Sequence, residues 1–242
     1  DSTWSASIAI PDGVTLTNSG TIRAASGAGG ARFVQLGVGG VLASALVNNG
    51  TIETAATTNM EINGTVGSLD TFTQNGSIAI GAGGAVLASG LRLNYVGGAN
   101  AAGFAVRNNA ELVLTAASSA SVVLAIGSNA LVSHSAANLT LRVQGNNQVG
   151  ASVLNVPANT SNNSVIELDS VDSTWSASIA IPDGVTLTNA GTIQNSGGVN
   201  QIAILGFGGN EAVTNSGTVI GSVDLGAGTN SFMNQASGSF SA

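Results

Sequence analysis

The chain has 242 residues, enough to bury a substantial core, and a formal net charge of -7 with only 7% of residues charged. Its basic side chains are five scattered arginines, Arg23, Arg32, Arg92, Arg107 and Arg142; no basic stripe exists to neutralise phosphates, which excludes nucleic acid and anionic membranes as partners. Cysteine is absent, so neither disulfides nor thiolate metal sites are available, and no uninterrupted apolar stretch is long enough to insert this segment in a membrane as a helix.

The chain opens on Asp1 to Ile22, DSTWSASIAIPDGVTLTNSGTI. Trp4, Ala6, Ile8 and Ile10 alternate with Thr3, Ser5, Ser7 and Ala9, the period of a half-buried strand. Pro11-Asp12-Gly13 makes a turn, and Val14 and Leu16 resume the apolar face. Asn18 is expected to stop this strand in a left-handed corner, Gly20 completes the corner, and Thr21-Ile22 begins the next strand. The corner recurs at Asn49-Gly50-Thr51-Ile52, Asn63-Gly64-Thr65-Val66 and Asn75-Gly76-Ser77-Ile78. Its glycines are spaced irregularly, which suits coils whose loops differ in length.

The middle of the chain keeps short strands at Glu111–Thr115, Ser121–Ile126, Ala130–Ser133 and Leu139–Val143, with Arg142 facing outward. Ser161-Asn162-Asn163-Ser164 reads as a loop, and Val165 to Val171 as a strand. Asp172 to Ile193 then repeats the opening block at 21 of 22 positions, the one change being Ser19 to Ala190. The corner returns at Asn189-Ala190-Gly191-Thr192-Ile193 and Asn215-Ser216-Gly217-Thr218-Val219. Residues 1–171 are therefore one long repeat unit and 172–242 the start of a second copy, a fragment of a longer array.

Two all-β architectures fit this grammar. A sandwich needs domains near 100 residues and large aromatic anchors, whereas aromatic residues make up 4% of this chain. A parallel β-helix, or β-solenoid, stacks like residues on like and favours small aliphatic residues inside, with Asn, Gly, Ser and Thr at the corners. The second is the expected fold, with coils of roughly 20 to 25 residues and ladders of hydrogen-bonded Asn side chains between successive corners.

The repeated Asn-Ser-Gly-Thr-Ile corners, in a chain without Cys or Lys, and the stretch Gly221 to Phe232 (GSVDLGAGTNSF) resemble the passenger domains of bacterial type V secretion. These are the autotransporter adhesins and their filamentous-haemagglutinin-like relatives. The resemblance implies a right-handed parallel β-helix, exported across a Gram-negative outer membrane to the cell surface or the medium. It implies partners among the glycans or proteins of host or neighbouring cells.

Chemistry-bearing residues are sparse. His134 is the single histidine, has no carboxylate near it in sequence, and reads as a solvated or corner residue. Glu167, Asp169 and Asp172 form the nearest acidic group; they, with the lone glycine-rich stretch at Asp224, are weak Ca²⁺ candidates against the plainer reading of a solvated acidic edge. Trp4 and Trp175 hold the same repeat position. Either would serve as a sugar-stacking platform if exposed, but the shared face with Ile8 and Ile10 points to core packing. No catalytic residue, metal site or cofactor is expected. The function expected is a non-catalytic surface stalk or filament, with end-to-end self-association of open coil ends. The alternatives are a polysaccharide-cleaving β-helix enzyme and a self-assembling surface-layer subunit.

Overall fold

Runs of β-branched and small polar residues, broken every few positions by Gly, Asn or Pro, favour short strands over helices. The computed structural model describes residues 5–27, 30–65, 69–172 and 174–242, and those residues form strands and turns without a helix. The chain divides into two compact units, Asp1–Val123 and Leu124–Ala242. Each is a parallel β-helix.

In unit 1 the first coil is β1 (Ala6–Pro11), β2 (Thr15–Asn18) and β3 (Thr21–Ala24), and the second is β4 (Arg32–Val38), β5 (Ala45–Asn48) and β6 (Thr51–Thr54). Next come β7 (Asn59–Asn63), β8 (Thr71–Gln74) and β9 (Ser77–Ile80), then β10 (Ala85–Ser89), β11 (Arg92–Val96) and β12 (Ala99–Asn100), then β13 (Phe104–Arg107) and β14 (Glu111–Ala116). Every third strand pairs in parallel, giving three faces ordered β1-β4-β7-β10-β13, β2-β5-β8-β11-β14 and β3-β6-β9-β12.

β15 (Ser121–Ile126) runs across the division, and β16 (Ser128–His134) opens unit 2. Its coils are β17 (Leu139–Gly145), β18 (Ser152–Asn155) and β19 (Thr160–Asn162), then β20 (Val165–Ser170), β21 (Ala177–Ile181) and β22 (Thr186–Asn189). They continue with β23 (Thr192–Asn195), β24 (Ile202–Gly206) and β25 (Ala212–Asn215), then β26 (Thr218–Ile220), β27 (Ser222–Asp224) and β28 (Ser231–Asn234), and β29 (Ser239–Ser241). The faces are β17-β20-β23-β26-β29, β18-β21-β24-β27 and β19-β22-β25-β28, with β16 pairing to both β18 and β19.

Stacked residues bury like against like. Leu46, Phe72, Leu93 and Leu112 stand in register and are wholly buried, as are Leu141, Ile166, Ile193 and Val219. Each such side chain contributes about 1.5–3 kcal/mol of hydrophobic stabilisation. Coil length varies around this constant core: vertical side-chain partners lie 30, 26 and 19 residues apart in unit 1 and 25, 27, 26 and 19 in unit 2. Three of the five arginines reach a glutamate one coil on, in Arg23–Glu53, Arg92–Glu111 and Arg142–Glu167, at 3.1, 2.6 and 2.7 Å. These pairs are largely exposed and worth about 0–1 kcal/mol each.

The corner asparagines do not work through a left-handed backbone. Among the described non-glycine residues only Thr57 and Asn109 have positive φ. Asn18 ends β2 with its side chain turned inward, where its amide donates to Asn48 Oδ1 at 2.7 Å and to the Thr51 carbonyl at 3.1 Å. Asn48 then donates to Gln74 Oε1 at 2.9 Å. Unit 2 repeats the column as Asn162 to Asn189, Asn189 to Asn215 and Asn215 to Asn234, at 2.8, 2.8 and 2.7 Å. The inner rung of the second coil is therefore Asn48, one residue before Asn49, whose amide pairs with Asn75 in an exposed outer rung at 3.2 Å. Asn63 belongs to neither column: it ends β7 on another face, and its Oδ1 accepts from the Ser89 hydroxyl. The expected loop at Ser161–Ser164 is also corrected, since Asn162 closes β19 as a fully buried rung.

The corner glycines serve close approach. A Cβ on Gly76 would overlap the carbonyl oxygen of Gly50 in the coil below, while one on Gly20 would meet nothing within 4 Å. Gly76→Ala is accordingly expected to lower the denaturant midpoint sharply, and Gly20→Ala to leave it almost unchanged. Asn189→Ala, which removes an acceptor from the Asn162 amide, the donor to Asn215 Oδ1 and the cap on the Thr218 carbonyl, is expected to cost about 2–3 kcal/mol in urea unfolding. Equal midpoints for the two glycine variants, or a silent Asn189→Ala, would contradict this account of the corners.

Candidate functional site

Trp175 is a large aromatic side chain set among polar neighbours. Strand alternation in β21 turns Ala177, Ile179 and Ile181 inward and Ser178 outward. Trp175 precedes that strand, so the alternation shared with Ile8 and Ile10 does not extend to it. It is 38% exposed, which corrects the expectation of a core tryptophan. Trp4, its counterpart in the first copy, lies outside the described residues.

The indole is fixed rather than loose. Its N–H donates to Asn147 Oδ1 at 2.9 Å, and one edge of the ring lies over Gly150, where an added methyl would sit 3.5 Å from Cε3 and Cζ3. The supporting loop is closed on itself by paired backbone hydrogen bonds between Asn146 and Gly150, at 3.0 and 2.8 Å. The Asn146 side chain caps the Gln148 and Val149 N–H groups inside it.

Beside the ring opens a cleft of about 480 Å³, lined by Asp169, Ser178, Asn195, Ser196, Gln201 and Ile202. Asp169 stands at its back. Its carboxylate accepts from the Ser196 hydroxyl at 2.7 Å, Gln144 Nε2 at 3.0 Å and the Ser170 N–H at 2.9 Å. Burial pushes its pKa up, but these donors and the charge of Arg142 outweigh burial and hold it below the ordinary carboxylate value. Asn195 shapes the far wall, donating to the Ile202 carbonyl at 3.0 Å and accepting from the Gly197 N–H at 3.0 Å. The Ser170 hydroxyl and one oxygen of Asp172, both shielded from solvent, have no hydrogen-bond partner among the described residues.

The four Ca²⁺ candidates do not come together. Glu167 pairs with Arg142, Asp169 is held as above, Asp172 accepts from the Thr174 N–H at 3.1 Å, and Asp224 accepts from the Gly226 N–H at 3.0 Å. Among the described residues no group of three His, Cys, Asp or Glu side chains gathers at metal-binding distance. The cleft itself was not legible from the sequence. Its signal is the pair Asn195 and Ser196, which stand where the first copy has Ala24 and Ala25 at the same 171-residue offset.

His134 is wholly buried rather than solvated. It stands in register with Asn162, and its Nε2 faces the Val165 carbonyl at 3.1 Å, the role that Asn162 and Asn189 play toward Thr192 and Thr218 one coil on. It is a rung of the amide column made by an imidazole, and its Nδ1 has no partner among the described residues.

No family model, curated protein or solved structure matches the chain.

Burial lowers the His134 pKa, opposed by the hydrogen bond to Val165. The unfolded chain therefore takes up the proton more readily than the folded one. The stability contributed by the neutral ring is complete above the unfolded value of about 6.5 and is lost as pH falls from there toward the folded value. His134→Asn restores the amide to the column and removes this titration. Thermal midpoints followed from pH 7.5 to 5 are expected to fall more steeply for the wild type than for His134→Asn; parallel curves would refute the assignment.

Proposed function

We propose that the chain is a non-catalytic repeat of a bacterial surface protein, acting as the stalk or filament segment of an adhesin. The observation that carries this reading is the column of buried amides, which with in-register parallel strands and Arg–Glu pairs ties each coil to the next. A coil that carries such a rung stacks on the last in the same way, so the stack extends by repetition without a new core being invented. The near-identical blocks at Asp1–Ile22 and Asp172–Ile193 repeat the means of extension: Asn18 and Asn189 are the same position and make the same rung. Outward Thr, Ser and Asn side chains suit an aqueous exterior and contact with surface glycans or proteins, with repetition supplying avidity.

The cleft beside Trp175 gives the polysaccharide-cleaving alternative its best location. Glycoside hydrolysis of the usual kind asks for two carboxylates, one on each side of the scissile bond. Among the described residues lining the cleft, Asp169 is the only carboxylate. The stalk reading is therefore preferred.

Mild protease treatment of intact cells that make the protein tests it. External cleavage of the chain, together with weaker cell attachment when its coding sequence is deleted, is the expected outcome. A protease-protected cytoplasmic chain would overturn the reading, as would shortening of polysaccharide chains by the purified protein.

A further inference from the structure

We propose that the cleft beside Trp175 is a binding site for a neutral pyranose oligosaccharide. The C–H face of a sugar ring carries a slight positive charge and is apolar, and an indole face is apolar and slightly negative, so the two stack well. Trp175 meets the requirements of such a platform: it is partly exposed, its tilt is set by Asn147, and one edge is already backed by Gly150. A platform fixed beforehand loses little side-chain freedom when the ligand arrives.

The surrounding groups match a ring of hydroxyls. Ser178 and Gln201 line the cleft and take no part in the hydrogen bonds that hold its walls, which run through Asp169, Asn195 and Ser196. A hydroxyl can donate or accept, and a primary amide does both, so these side chains can meet sugar hydroxyls in either sense. The volume of about 480 Å³ falls within the range typical of small-ligand clefts.

Charge decides the class of sugar. Among the described residues of the lining Asp169 is the one ionised group, and Arg142 nearby is bound to Glu167 at 2.7 Å. Uronic and sialic acids would bring a second negative charge toward Asp169, whereas neutral hexoses would donate a hydroxyl to it. An extended peptide fits less well. The strands around the cleft are paired on both sides, β20 by β17 and β23, and β21 by β18 and β24, so no strand edge is open for augmentation. The assignment is confined to the second copy, because Ala24 and Ala25 in the first lack the side chains of Asn195 and Ser196.

Calorimetric titration of the full chain tests the proposal, with cellotetraose and β-1,4-galactotetraose as neutral probes and trigalacturonate as the acidic one. At least one neutral probe is expected to bind saturably, and the acidic probe ~10-fold more weakly. Trp175→Ala should weaken neutral binding by at least ~10-fold and Trp175→Phe by less. Gln201→Ala should weaken it several-fold with the unfolding midpoint unchanged, which separates lost binding from lost folding. Absence of saturable binding by both neutral probes, equal affinity in Trp175→Ala, or preference for trigalacturonate would each overturn the assignment. A chain that ignores these sugars can still be exposed on cells, so this proposal and the stalk reading fail independently.

Discussion

A buried primary amide has a donor and an acceptor on one flat group, and parallel strands repeat every ~4.8 Å; stacking the one on the other sets the terms for the rest of the molecule. Asn48, Asn189 and Asn215 each accept from the amide of the coil before and donate to that of the coil after, and each also caps a backbone carbonyl at the turn, as Asn189 does for Thr218. Polar groups that would be costly inside an aliphatic core thereby become satisfied in both directions. The arrangement is cooperative, since removing any member leaves two neighbours short. It also tolerates substitutes that conserve the capping bond. Gln74 takes the position in one coil, and His134 in another. In unit 1 the same position is then filled by Tyr95, whose hydroxyl donates to Asn100, and by Leu114, where the column gives way to hydrocarbon.

Around this column the structure assigns distinct duties to residues that look alike. Glycines at the corners are held by the nearness of the coil below, which leaves no room for a methyl above Gly50, whereas Gly20 has open space. The aspartate of the Pro-Asp-Gly turn has a similar hidden duty: Asp12 accepts from the Leu42 N–H at 2.6 Å, and its counterpart Asp183 accepts from the Asn210 N–H at 2.8 Å. In both copies, then, one turn holds the loop of the following coil in place, and the sequence match between the blocks is a match of contacts between coils as well as of strands.

How much could be read in advance follows from how local each signal is. Alternation located β15 at Ser121–Ile126 to the residue and β17 to within two residues at its end, because strand faces are written in neighbouring positions. The amide columns were foreseeable from the recurring corners. Which asparagine of Asn48-Asn49 turns inward was not, since that depends on register with Asn18 thirty residues earlier. His134 and Asn162 were misjudged for the same reason: both look like exposed polar residues until the stacking partner is known. Trp175 misled through its neighbours, the inward alternation of β21 beginning two positions after it. Its cleft is built where β20, β21, β23 and β24 meet the segments that join them, so stacking between coils and not periodicity along the chain assembles it.

The unequal coils carry one more implication. Rungs 30, 26 and 19 residues apart meet at 2.7, 2.9 and 2.7 Å, so whatever length lies between two corners is taken up by connecting segments that bulge outward. Lengthening a flexible loop is cheap, at about 0.6 kcal/mol for each doubling. Foreign peptide spliced between β4 and β5 would therefore be carried outside the stack while Asn18, Asn48 and Gln74 kept their spacing. That makes the fold a natural carrier for epitopes, one whose cargo can diversify while the chassis stays fixed.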